Sequence, residues 1–227
     1  MKFKQWWNTV LEYVYPPRCI FCSKVVPPGQ QCCSGCFENV VPVFWHSRMM
    51  QSQTGKTFYC IAPDVYESQI RKAMLAFKFR GKQKHAKFFA RRILEQLKQE
   101  QLLGEVDVIT SVPLSPNRKK QRGYNQSELI ARELAFLTQI PYSTVLEKTV
   151  ENHEQHKLHS RERRKNVEGV YQPLPMAEIK GRHFLLVDDI MTTGSTLDEC
   201  AGVLFQEEAT LVLCAAAARV LLEDVSC

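Results

Sequence analysis

Two stretches of this 227-residue chain hold residue types whose spacing can do chemistry. The first reads Phe184-Leu-Leu-Val-Asp188-Asp189-Ile-Met-Thr192-Thr193-Gly194-Ser195-Thr196, an apolar run that ends on two carboxylates and passes into a loop of hydroxyls and glycine. The loop suits a phosphate. Backbone N–H groups at the start of a following helix point outward, the helix dipole favours an anion, and the Thr and Ser hydroxyls add donors. It contains no Lys and so does not match the G-x-x-x-x-G-K-[ST] nucleotide motif. The two aspartates need a separate reason. Side chains alternate faces along a strand, so adjacent carboxylates can serve one ligand only where the strand is ending, and both are expected at its solvent-facing end. There they can accept hydrogen bonds from vicinal hydroxyls or hold a divalent cation. A ribose with vicinal hydroxyls and a 5′-phosphate satisfies both halves.

The second stretch is Cys19-Ile-Phe-Cys22, a turn at Pro27-Pro28-Gly29, and Cys33-Ser-Gly-Cys36. Two C-x-x-C knuckles suit tetrahedral Zn²⁺, because each presents two thiolates from one tight turn and the hairpin brings the pairs together. Four thiolates leave no open position for water, so such a zinc is structural. Cys32 adjoins Cys33 and is a plausible substitute for it as ligand. Nine cysteines is an odd count, and a disulfide framework does not suit a chain read as cytoplasmic. Cys60, Cys200 and Cys214 lie in apolar surroundings that suit a core role, and Cys227 is isolated.

The elements that must position these residues follow from periodicity. A chain with 44% hydrophobic and 24% charged residues can close a core, which excludes disorder and collagen-like structure. No window reaches the ~20 consecutive apolar residues of a spanning helix. The basic N-terminus lacks the unbroken apolar core of a signal peptide. These readings give a cytoplasmic protein with no integral membrane association. Trp6, Trp7, Val10, Leu11 and Val14 recur at helical spacing before Pro16-Pro17, a short amphipathic helix that packs on its own domain in preference to a membrane or partner. Ile70, Ala73, Met74 and Phe77 mark one helix and Ala86, Ala90, Ile93 and Leu97 a second, with a turn at Gly81. Val106–Val112 reads as a strand, Ser127–Thr138 as a helix, and Ser143–Leu146 as a short strand. Phe184–Val187 is a strand buried on both faces, Leu197 to Leu204 a helix, and Ala209–Ala216 a second buried strand. Strands alternating with helices give an α/β fold with a parallel sheet. A pattern break at Gln51–Lys56 divides residues 1–50, the helix and zinc module, from an α/β domain at 51–227.

Thirty Lys and Arg against 24 Asp and Glu give a net charge of +6, unevenly placed. From Ser68 to Arg92 there are nine basic residues and no acidic one. Arg71, Lys72, Lys78, Arg80, Lys82 and Lys84 form a candidate nucleic-acid face, interleaved with Phe77, Phe79, Phe88 and Phe89. Cations beside aromatic platforms are what sequence-tolerant single-strand binding uses. A solvated helix face, or a rim that steers diphosphate, is the alternative for the charges, and burial in the core is the alternative for the rings.

The string from Phe184 to Thr196 resembles the 5-phosphoribosyl-1-diphosphate (PRPP) signature of type I phosphoribosyltransferases. With the zinc knuckles ahead of it, the chain is similar to the ComF competence family, associated with natural transformation in bacteria. Val112-Pro113-Leu114, Arg118 and Arg122-Gly123-Tyr124-Asn125-Gln126 resemble that family's R-G-[FY]-N-Q segment, and Gln155, Leu158, Arg163 and Asn166 its Q-x-x-L-x-x-x-x-R-x-x-N pattern. The likeness runs from about Cys19 to Arg219. It departs at Lys148–His153, where the Arg and Thr that the family pattern has just before Gln155 are missing. The resemblance implies a 5′-phosphate on Thr192, Thr193, Gly194, Ser195 and Thr196, and ribose hydroxyls on Asp188 and Asp189. It also implies a diphosphate near Pro113, Leu114, Arg118, Arg122, Gly123 and Asn125, with Mg²⁺ accompanying it, and a flexible loop carrying Gln155, Arg163 and Asn166. By the same resemblance, the protein is a competence factor for DNA uptake that binds single-stranded DNA and partners other DNA-uptake proteins, or an active phosphoribosyltransferase with an amine or base acceptor.

Overall fold

The computed structural model describes residues 16–40, 48–52, 54–149 and 170–221. The helix expected through Trp6 and Val14, the Gln155, Leu158, Arg163 and Asn166 pattern, and Cys227 lie outside the described residues.

Two long strands, β7 (His183–Met191) and β8 (Leu211–Arg219), form the centre of the main sheet and pair in parallel along most of their length. Their unbroken apolar runs, Phe184–Val187 and Val212–Ala218, are buried on both faces. β4 (Val108–Ser111) lies beside β7 and is also parallel to it. On the other side, β2 (Thr57–Ile61) and the two-residue β3 (Asp64–Val65) pair successively with β8. β1 (Arg48–Gln51) closes that edge antiparallel to β2, so the Gln51–Lys56 pattern break is the turn of a hairpin within one sheet. The resulting six-stranded sheet runs in the order β1-β2-β8-β7-β4, with β3 also against β8.

Helices cover both faces. α1 (Ser34–Phe37) is a single turn in the cysteine-rich segment. α2 (Ser68–Phe79), α3 (His85–Gln99) and α5 (Gln126–Thr138) pack with Ile109, Leu185, Val187, Leu213 and Ala215. Every apolar position expected on α2 and α3 is buried, and Gly81 turns the chain between them with φ +65°. The opposite face, with Val108, Phe184, Leu186, Val212 and Cys214, is covered by α6 (Ser195–Gln206). A small antiparallel pair, β5 (Leu146–Lys148) and β6 (Tyr171–Pro173), joins that layer. α4 (Pro116–Arg122) connects β4 to α5.

Four strands differ in their bounds from the sequence reading. β8, expected over Ala209–Ala216, runs from Leu211 to Arg219, where it pairs with β3 and the end of β7. β4 is shorter than Val106–Val112. The strand expected over Ser143–Leu146 begins only at Leu146, because Pro141 and Ser143 exchange backbone hydrogen bonds with Ile109, both 2.9 Å, along the outer edge of β4. β7 runs through both aspartates to Met191, since the long β8 offers partners as far as Arg219.

The cysteine-rich segment packs on α3. Ile20, Phe21 and Cys32 join the core, the Phe21 ring meets Phe88 edge-on at 5.3 Å, and Arg91 donates to the Gly29 carbonyl at 2.8 Å.

Candidate functional site

Asp188 and Asp189 sit within β7 rather than past its end, and both are largely covered rather than solvent-facing. Ser127, in the first turn of α5, donates its hydroxyl to Asp188 Oδ1 at 2.9 Å, and the Asp189 N–H donates to the same oxygen at 2.8 Å. Burial, reinforced by the charge of Asp189, pushes the Asp188 carboxyl up to about 7. Two hydrogen bonds favour its ionised form but do not offset that cost. Asp189 is held differently. Lys78 reaches it from α2 and places its ammonium 2.9 Å from each oxygen.

The hydroxyl loop follows directly. Gly194 is the N-cap of α6 with φ +83°, a left-handed conformation that only glycine adopts without strain. Space demands glycine as well, since a Cβ there would lie 2.6 Å from Met50 Cε, brought over the loop by β1. Thr193 Oγ1 hydrogen-bonds Ser195 Oγ at 3.1 Å, while Thr192 is exposed. Thr196 bonds the side chain of Tyr171 on β6, whose phenol burial pushes well above its ordinary range. The Lys148 ammonium lies 5.3 Å from the centre of that ring. Burial lowers the Lys148 pKa, and Arg118 lowers it further.

The loop after β4 lies beside the same strand end, with Val112 N–H donating to the Val187 carbonyl at 2.9 Å. Pro113 and Leu114 are half-buried there. Asn125 is buried and committed to structure: its Nδ2 donates to the Val112 carbonyl at 2.9 Å, and its Oδ1 caps α5 by accepting from Ser127 N–H at 3.1 Å. Gly123, with φ +76°, ends α4 and lets the chain turn into α5. Arg122 donates to Gln126 Oε1 at 3.3 Å and lies 5.1 Å over the exposed Phe79 ring. Arg118 is half-buried on α4.

The basic stretch divides. Arg71, Lys72, Arg80, Lys82 and Lys84 are exposed, as a solvent-facing cationic surface needs. Lys78 does not belong with them, because Asp189 holds it. Arg92 is also withdrawn: it makes a buried pair with Asp64 at 2.9 Å, which ties α3 to β3 and which sequence reading missed. Phe77, Phe88 and Phe89 are core residues, and Phe79 alone of the four interleaved rings is exposed.

Cys19, Cys22, Cys33 and Cys36 gather with their sulfurs within 4.8 Å of one another. A zinc with bonds of about 2.3 Å would set tetrahedral S···S edges of about 3.8 Å, and Cys22 and Cys33 are 3.7 Å apart. Burial opposes ionisation of Cys19, but backbone N–H groups of Cys22, Cys33 and Phe21 overcome it and bring the thiol down to about 6. The four residues therefore fit a structural zinc. Cys32 packs against the core instead.

The order of parallel strand, carboxylate pair, glycine-capped loop and helix has a counterpart in known sequences. The pattern of the phosphoribosyl transferase domain family matches residues 89–221. The chain belongs to that family. Ahead of its phosphoribosyl transferase domain, the pattern of the double zinc ribbon domain matches residues 10–48. The chain is 38% identical over 108 residues to the DNA utilization protein YhgH of Escherichia coli O157:H7, covering 47% of this chain and 46% of that protein. It is 33% identical over 100 residues to Competence protein F of Haemophilus influenzae, covering 43% and 44%. The chain thus spans about half the length of these relatives. The ComF resemblance drawn from the motifs agrees with them. Among solved structures, the allosteric regulatory enzyme of purine biosynthesis matches at 19% identity with a TM-score of 0.44, over 63% of this chain and 30% of that one. Among the described residues, no helix of this phosphoribosyl transferase family member is long and apolar enough to cross a membrane.

Proposed function

We propose that this chain binds PRPP at the C-terminal end of β7 and serves DNA utilisation in competence, as the names of its relatives suggest. The observation that carries the reading is the run from Asp188 to Ser195, where two covered carboxylates precede a glycine-capped hydroxyl loop at the start of α6. The 5′-phosphate would meet backbone N–H groups and the hydroxyls of Thr192, Thr193, Ser195 and Thr196. Asp188 and Asp189 would take the ribose hydroxyls, with diphosphate and its Mg²⁺ toward Pro113, Leu114, Arg118 and Arg122. Gln155, Arg163 and Asn166 would belong to a loop that closes over the donor. The zinc of the cysteine module is structural, and we place the division between the two units before Arg48, because β1 belongs to the sheet.

Titration calorimetry with PRPP and Mg²⁺ tests the site. Asp189→Asn removes a charged acceptor, which should weaken binding by about ten-fold or more. Unchanged affinity would mean that the ribose lies elsewhere. Diphosphate release with candidate amines and bases then separates a transferase from a donor-binding factor.

Single-stranded DNA is the second ligand we propose, supported by the exposed Arg71, Lys72, Arg80, Lys82 and Lys84. Replacing Arg80, Lys82 and Lys84 by Ser should weaken retention of single strands and make the salt dependence shallower, by about 0.7 in slope for each phosphate that is no longer neutralised. PRPP binding should persist in that variant. A wild-type protein that fails to retain single strands at low salt would remove DNA from the reading.

A further inference from the structure

Lys78 differs from its basic neighbours. Its side chain is 15% exposed, and its ammonium is 2.9 Å from both oxygens of Asp189, whereas Arg80, Lys82 and Lys84 face solvent. The helix end that carries it is fixed on either side. The Phe77 ring stacks on Phe89 at 6.0 Å, the Tyr124 hydroxyl donates to the Phe77 carbonyl, and Arg122 lies 5.1 Å over Phe79. The backbone at Lys78 is therefore locked to the turn between α4 and α5, the segment expected to approach a diphosphate. The charge itself ends a flexible four-carbon stem with three donors.

If Asp189 accepts hydrogen bonds from vicinal ribose hydroxyls, those hydroxyls approach the same two oxygens that Lys78 now holds and compete with its ammonium for the carboxylate. A covered ammonium left without an anion is costly. A donor sugar that carries diphosphate at C1 supplies a replacement anion in the same step, and a sugar without it does not. We propose that Lys78 is an exchangeable counter-ion of the donor site, neutralising Asp189 before the donor arrives and passing to the diphosphate when the ribose hydroxyls take the carboxylate. This rests on the donor-site reading above and deepens it, for it makes Lys78 a determinant of specificity for the diphosphate-bearing sugar. No covalent bond changes. One ion pair is exchanged for another.

Calorimetry on the full chain with Mg²⁺ tests this, using PRPP and ribose 5-phosphate as paired probes for wild type, Lys78→Met and Lys78→Arg. Lys78→Met should weaken PRPP binding by about ten-fold or more, because the diphosphate would then lack a charge-assisted hydrogen bond. It should leave ribose 5-phosphate binding as tight or tighter, because the competitor for Asp189 is gone. The preference for PRPP then collapses, and Lys78→Arg restores it to within a few-fold. Equal weakening of both ligands would overturn the proposal, since Lys78 would then only hold Asp189 in shape, and unchanged PRPP affinity would overturn it too. A wild type that binds neither sugar fails at an earlier point and rejects the donor site itself. Melting curves establish that each variant is folded, and Lys78→Gln replaces Lys78→Met if the latter is not.

Discussion

At Asp188 the demands of stability and of ligand binding oppose each other. The carboxyl is buried beside a second carboxylate, and its folded pKa of about 7 lies above the ordinary value of 3.8. In the unfolded chain it ionises near pH 4, while in the folded chain it keeps its proton until about pH 7, so folding becomes less favourable as pH rises through that window and is flat above it. Asn at this position keeps an oxygen for the Ser127 hydroxyl and the Asp189 N–H and cannot ionise. Asp188→Asn should therefore be more stable than wild type at pH 8, by on the order of a few kcal/mol, with the advantage shrinking toward pH 5. Denaturant titrations at the two pH values measure it, and parallel curves at both would contradict the assignment. The same variant should bind PRPP more weakly. A substitution that strengthens the fold and weakens the ligand marks a residue kept for binding.

At the scale of elements, the hydroxyl loop depends on β1, a strand far from it in sequence. Met50 covers Gly194, so Gly194→Ala meets both a left-handed φ and a Met50 carbon 2.6 Å from the new Cβ. Strain of this kind costs about 1–3 kcal/mol, and because Met50 can shift, the damage should appear mainly in the loop. PRPP affinity should fall several-fold while the melting temperature falls only modestly, and retention of full affinity would show that the phosphate does not use this loop. The loop, β7 and α6 were legible in sequence because each is contiguous: an apolar run, two acids, glycine among hydroxyls, then a helical stripe. What covers them was not. β1, β2 and β3 are short, mixed in polarity and stabilised by partners in β8, so no local period marks them. Lys78 and Asp189 are 111 residues apart, and in sequence Lys78 reads as one more lysine of a basic helix. Arg92 was hidden likewise, its partner Asp64 lying in a two-residue strand.

For the whole molecule, the cysteine module and the α/β domain share one core, which couples metal to the rest of the protein. Phe21 covers Phe88, and Arg92 lies 5.9 Å from the Phe37 ring while pairing with Asp64 beneath it. Such a small unit has little interior of its own, so its structure should depend on metal. Metal analysis should return about one zinc per chain. Cys22→Ser and Cys36→Ser should lower that content, and Cys32→Ser should leave it unchanged, since Cys32 packs on the core and is not one of the four gathered sulfurs. Removing zinc with a chelator should also strip Phe21 from Phe88 and expose apolar surface on α3. That helix stacks through Phe89 on Phe77, the residue before Lys78, so the loss reaches the donor site through packed rings. The metal-free protein should melt several degrees lower and bind PRPP a few-fold more weakly, with both effects reversed by added zinc. Unchanged melting and PRPP affinity, with metal analysis showing the zinc gone, would mean that the two units are energetically independent despite their shared core.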